Sequence, residues 1–204
     1  MASEVGICNQ AMSWLGGNLI ISLGDDTNEA RLCNANYADI RDAVIEANDW
    51  TFAITRRDLP MSSVSPVNGY ANAFPIPSDI LRVTDVNDGQ DWRIEGDSIV
   101  TNEGSCKIRA VARITDPNRF STLFRQTLAA RIAADLAIPL TQSRALQEQY
   151  FKIYMGKLES AIANDGMQGK TRRITSSWLR GSRSGGANLA GPYVGSSSNV
   201  IPKG

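Results

Sequence analysis

The sequence predicts an α+β protein: a four-helix bundle with an inserted small antiparallel β-sheet and an extended C-terminal arm. Three observations carry this. Apolar residues recur at spacings of three and four before about residue 49 and again after about residue 116, the period falls to two in between, and regular periodicity stops after Gly166. The expected divisions are the first two bundle helices over 1–49, the sheet region over 50–115, the last two helices over 116–166, and a Gly/Ser-rich basic arm over 167–204.

The first helix places Val5, Cys8, Met12 and Leu15 on one stripe, with Ser3 as its cap and Gly16-Gly17 as its stop. After the linker NLIISLGDD, Asp26 stands three residues before Glu29 in a capping-box-like arrangement. Ala30, Cys33, Tyr37, Ile40, Val44 and Ala47 then carry a second helix to near Asn48. From Trp50 to about Thr115 turn signals arrive at Asn68-Gly69, Asp88-Gly89, Gly96-Asp97 and Glu103-Gly104. The expected strands are Trp50 to Arg56, Tyr70 to Phe74, Leu81 to Val86, Trp92 to Glu95, Ser98 to Thr101 and Cys106 to Ile114, in one sheet. In the last of these, apolar Cys106, Ile108, Ala110, Ala112 and Ile114 alternate with Lys107, Arg109, Val111 and Arg113, so one face reads as basic and solvated.

Asp116-Pro117 is a helix start, and Phe120, Phe124, Leu128, Ile132 and Leu136 follow at intervals of four, among alanines that permit close packing. Pro139 is expected to end that helix. Thr141 opens a fourth, whose buried face is Leu146, Tyr150, Ile153, Leu158, Ala161 and Ile162. Trp50 and Phe52 are expected to close the junction between the long helix and the sheet. Pro75 and Pro77 suit a sheet edge or linker, and Asp79 suits a turn.

Composition narrows the chemistry. The 204 residues contain 42% apolar residues and equal numbers of basic and acidic side chains, as a globular domain does. The charge is unevenly placed: residues 167–204 hold six basic residues and no acid, so the arm is +6 and the body −6. Histidine is absent, which removes Ser-His-Asp and Cys-His catalysis and the usual mixed zinc sites from these residues. Cys8, Cys33 and Cys106 match no metal-ligand spacing, and an odd number argues against a disulfide framework, so they read as core residues in a reducing compartment. The opening segment carries Glu4 and no basic stretch, and no apolar run approaches the ~18 residues of a membrane span. Neither a signal peptide nor a membrane anchor is expected.

Possible chemical motifs are weak. The run Asp85, Asn87, Gly89, Asp91 starts like a calcium loop but puts Gly89 at a ligand position and Gly96 where a bidentate Glu is required. Asp25-Asp26 supplies one half of a glycosidase carboxylate pair, with no identifiable partner, and a helix cap accounts for it. Gly181 to Gly186, GSRSGG, lacks the Lys-Ser/Thr ending of a phosphate loop. No catalytic residue, metal or cofactor is assigned.

The arm holds the candidate partner-binding residues: Arg172, Arg173, Trp178, Arg180, Arg183 and Tyr193. Cations interleaved with Trp178 suit phosphates and a stacked base. They equally suit an acidic protein surface on which Trp178 and Tyr193 act as anchors. Such a segment buries too little apolar surface to fold alone, and extended it reaches on the order of 130 Å.

An ordered set of short motifs runs through residues 3 to 165. They are WLGG (Trp14 to Gly17), IISLGDDTNEARLCNANYADIRDAVIEANDWTFA (Ile20 to Ala53), GYANAFPIPSDILRV (Gly69 to Val83), WRIEGDSIVTN (Trp92 to Asn102), a strand before Asp116-Pro117, and LAARIAADLAIPLTQS (Leu128 to Ser143). In this order the sequence resembles the head-to-tail adaptors of short-tailed bacteriophages, the tail tubular protein A or gatekeeper family. The resemblance implies a non-enzymatic structural virion protein with a helical bundle and an antiparallel sheet. It implies a dodecameric ring beneath the portal protein that extends the channel for double-stranded DNA, offers a dock to the tail nozzle protein, and has tail fibres attached nearby. It also implies a place in the virion tail after assembly in the host cytoplasm. The arm from Met167 is then expected to be the main portal-binding element, and the acidic body to suit a wall that lets DNA pass. Two alternatives stand beside this: a nucleic-acid-binding module acting through the arm, and a tail-associated polysaccharide or peptidoglycan hydrolase.

Overall fold

Residues 2–66 and 69–168 are described by the structure, a computed structural model. Within them the chain is mixed helix and sheet, with four α-helices and two three-stranded antiparallel sheets. The arm beyond residue 168 lies outside the described residues.

Helix α1 (Glu4–Leu15) starts where the Ser3 side chain accepts a hydrogen bond from the Gly6 amide, and stops at Gly16, whose φ of 73° needs no Cβ. Its buried stripe is Ile7, Cys8, Ala11, Met12 and Leu15. Helix α2 (Asn28–Glu46) is capped by Thr27, which accepts from the Ala30 amide at 3.2 Å. Asp26 therefore does not cap it, because its carboxylate is turned to Arg31. Glu29 likewise binds Asn18 instead of closing a capping box. The apolar stripe Ala30, Cys33, Tyr37, Ile40 and Val44 is buried as expected, but Ala47, its expected last member, is exposed at the C-cap.

Six strands follow: β1 (Ile54–Leu59), β2 (Asn72–Pro75), β3 (Ile80–Val86), β4 (Trp92–Glu95), β5 (Ser98–Thr101) and β6 (Cys106–Ala112). They form two sheets, β1-β6-β3 and β2-β5-β4, where the sequence predicts one. The cause lies at the β3 tip. Asn87 and Lys107 exchange 2.8 Å bonds, Asn87 through its amide and its side-chain oxygen, which commits β3 to β6 and leaves β4 to fold back on β5. That hairpin turns at Gly96-Asp97, where Gly96 takes the positive φ that its first loop position requires. Leu59, Phe74, Val86, Ile99, Cys106, Ile108 and Ala110, drawn from both sheets, bury a second and smaller core.

Trp50 to Ala53 is a turn, not the start of β1, because the Trp50 carbonyl accepts the amides of Ala53 and Ile54. Trp50 is fully buried, donates Nε1–H to the Val44 carbonyl at 3.0 Å, and meets Phe124 edge-on at 5.0 Å. With Phe52 and Phe120 it forms an aromatic cluster at the junction of helix and sheet. Asp116-Pro117 begins only a single 3-10 turn (Pro117–Arg119). Phe120 turns into the aromatic cluster in extended backbone, so helix α3 (Thr122–Thr141) restarts after the cap Ser121.

Pro139 sits inside α3 and does not end it. In the last turn a proline removes only one intrahelical bond, and the Gln142 amide still reaches the Ile138 carbonyl. Gln142 then closes the helix at φ 55°, and Ser143, not Thr141, caps helix α4 (Arg144–Gly166). Leu146, Tyr150, Leu158, Ala161 and Ile162 face the core as expected. Ile153 does not. The residue four beyond Tyr150 is Tyr154, which is buried, while Ile153 stands about 100° round the helix and is exposed. Helix α3 packs against the other three helices, which makes it the most buried of the four.

Candidate functional site

A groove of about 620 Å³ lies over the β1-β6-β3 sheet. The antiparallel register sets its charges in rows: Arg56 opposite Arg109 opposite Asp85, and Asp58 opposite Lys107. With Arg57, Asp88 and Glu103 the lining holds four basic and four acidic side chains. With equal numbers of both signs, such a surface has no net charge to attract a polyanion. The basic, solvated face expected on the last strand is accordingly corrected. Lys107 is exposed, Val111 is buried in the helical core, and Arg109 and Arg113 are spent on carboxylates of the first half of the chain.

Those ion pairs fasten α2 to the sheet. Asp49, just beyond the end of α2, takes Arg82 at 2.6 Å and Arg109 at 2.8 Å. Asp42 takes Arg113 at 2.6 Å and the buried Arg41 at 2.8 Å. Each pair is partly exposed and contributes little alone, but the two carboxylates together fix the angle of helix and sheet. The turn residue Asp79 pairs with Arg57, and this hydrogen bond holds its carboxyl below the usual carboxylate range. At the far end Asp165 of α4, 5% exposed, accepts from the Thr51 amide at 2.9 Å and its hydroxyl at 2.8 Å.

The carboxylates considered for chemistry have local structural roles. Asp25 accepts the amides of Ile21 and Ser22, and Asp26 holds Arg31. Around the calcium-like run, Asn87, Asp88 and Gly89 all have positive φ, and the Asn87 amide and side chain are bonded to the backbone of residues 105–107. Among the described residues no group of three or more ligand side chains is placed to hold a metal ion. Cys8, Cys33 and Cys106 are free and buried; burial pushes the Cys106 thiol up to about 11, and contact with Cys33 together with burial pushes Cys8 up. No described helix is long and apolar enough to cross a membrane.

Two surfaces went unread in the sequence. On the outer side of α3 and α4, the Arg131 guanidinium lies 5.5 Å from the Phe151 ring and 5.3 Å from that of Tyr154, with Asp135 at 2.9 Å. It borders a groove of about 460 Å³ lined in part by Phe151; Met155, one turn on, is also exposed, while exposed Ile153 lies on the other side of α4. The available signal was apolar residues of α4 lying off its core stripe. The second is the β4 edge of the β2-β5-β4 sheet, flanked by exposed Asp91 at one end and by exposed Glu95 and Asp97 at the other.

Arg172, Arg173, Trp178, Arg180, Arg183 and Tyr193 all lie outside the described residues, as does the Gly181 to Gly186 run. No family model matches the chain, and no curated protein matches it.

Proposed function

We propose that this chain is a structural virion protein, the head-to-tail adaptor of a short-tailed bacteriophage. It assembles as a dodecameric ring between the portal protein and the tail nozzle, and extends the channel through which double-stranded DNA leaves. The observation that carries the reading is the ordered set of motifs over residues 3 to 165. The fold supports it in kind, with helices and small antiparallel sheets in the expected chain order. The four helices serve as a bundle that forms the ring wall through side-by-side contacts, and the arm bears the partner-contacting residues Arg172, Arg173, Trp178, Arg180, Arg183 and Tyr193. No catalytic step is assigned.

Native mass spectrometry of the protein mixed with the purified portal ring of its phage tests this. The expected result is a single added mass corresponding to a full ring of chains. An unshifted, intact portal in the presence of folded protein overturns it. A nucleic-acid module is the second reading, favoured by four arginines around Trp178 in the arm, and it requires DNA affinity that falls steeply with salt.

A further inference from the structure

Strand β4 is the outer strand of its sheet. β5 pairs one of its edges, and no strand among the described residues pairs the other. Such an edge presents a row of N–H and C=O groups that can pair with an added chain. Trp92 is half-buried there, and Arg93, Ile94 and Glu95 are exposed, Ile94 by 50%.

Three carboxylates flank this edge: Asp91 directly precedes β4, and Glu95 and Asp97 close it, against Arg93 alone. Asp85, Asp88 and Glu103 belong to the groove over the β1-β6-β3 sheet, among its four basic side chains. None of the three flanking acids takes part in an ion pair among the described residues, whereas Asp42, Asp49, Asp79 and Asp135 each hold an arginine. The acids at this edge are therefore available to a cationic partner.

The same sequence contains one. Lys170 to Arg180 is free of Gly and Pro and includes the strand formers Thr171, Ile174, Thr175 and Trp178. It carries Lys170, Arg172, Arg173 and Arg180 with no acid. In extended form Arg173 and Arg180 stand about 23 Å apart, enough to overhang the four-residue β4 and reach the carboxylates at both its ends.

We infer that Lys170 to Arg180 of one copy adds as a strand to the open edge of β4 in a second copy, held by backbone pairing, by Ile94, and by the acids on either side. This deepens the arm's role and rests on the ring reading for its repetition. Exchanged between neighbours, one salt-sensitive contact recurs at every interface and gains by avidity. Residues 181 to 204, with Tyr193, stay available to the portal.

Sedimentation velocity on the full chain reads the contact without any portal. The wild type is expected to self-associate at low ionic strength and to weaken about tenfold or more near 1 M salt, where the screening length falls to about 3 Å. Arg172→Glu with Arg173→Glu in one variant, and Glu95→Arg with Asp97→Arg in another, should each leave a folded monomer, checked by circular dichroism. Mixed in equal amounts they should associate again, because each now offers the other a complementary arm or edge. A wild type that stays monomeric throughout, or a mixture that fails to reassociate, overturns the inference. Portal binding, scored separately, distinguishes this failure from failure of the adaptor reading.

Discussion

Asp165 and Asp79 show how a carboxylate's role depends on its surroundings. Asp165 is nearly buried, and its two hydrogen bonds from Thr51 pin the end of α4 to the turn that follows α2. Asp79 is nearly half exposed, and what distinguishes it is the Arg57 guanidinium, which depresses its proton affinity in the folded state. A depressed carboxyl contributes stability above the ordinary Asp value of 3.8 and loses that contribution as pH falls through the folded value. Arg57→Ala should therefore lower stability at neutral pH, by under ~1 kcal/mol given the solvent screening at this exposed pair. The difference should vanish in acid once Asp79 is protonated in both states. Urea unfolding at neutral and acid pH checks this, and a difference that persists in acid would assign the role of Arg57 to packing.

At the scale of elements, the ends of helices were less legible than their faces. Most of the buried residues of α1, α2 and α3 follow from spacing, since an apolar residue every three or four positions has one way to leave water; Val5, Ala47 and Phe120 do not fit it. Their ends depend on competition between neighbouring side chains. Thr27 caps α2 because Asp26 is drawn to Arg31, and α3 outlasts Pro139 because Gln142 accepts a left-handed backbone. That conformation costs a residue with a Cβ about 1 kcal/mol. Gln142→Gly should stabilise the protein by up to about that amount, seen as a higher urea midpoint at unchanged slope. An unchanged or lower midpoint would mean that the Gln142 side chain contributes contacts that offset its backbone strain.

For the molecule as a whole, the charge map carries more functional weight than any cleft. Arginines of the β1-β6-β3 sheet fasten α2, the groove over that sheet carries equal charges of both signs, and the acids flanking β4 are left without ion pairs among the described residues. The complementary positive charge belongs to residues 167–204. Removing those residues should abolish portal binding while leaving the far-ultraviolet circular dichroism per folded residue intact, because among the described residues both hydrophobic cores are complete before Met167. Portal binding by the shortened chain would move the docking surface onto the body, where the Phe151 side of α4 is the apolar face in reach.

Local pattern set the chain order of helices and strands, the exact limits of β4 and β5, most of the buried stripe of α2 and the aromatic closure at Trp50 and Phe52. These are set by periodicity, turn residues and side-chain bulk, all local quantities. Contacts made in the folded chain divide six strands into two sheets, bring Val111 and Tyr154 into the helical core while Ile153 stays outside, and set Arg82, Arg109 and Arg113 against carboxylates of α2 and the turn after it. Each of those outcomes turns on which distant groups meet, and a pairing between residues 33 to 71 positions apart leaves no trace in local spacing.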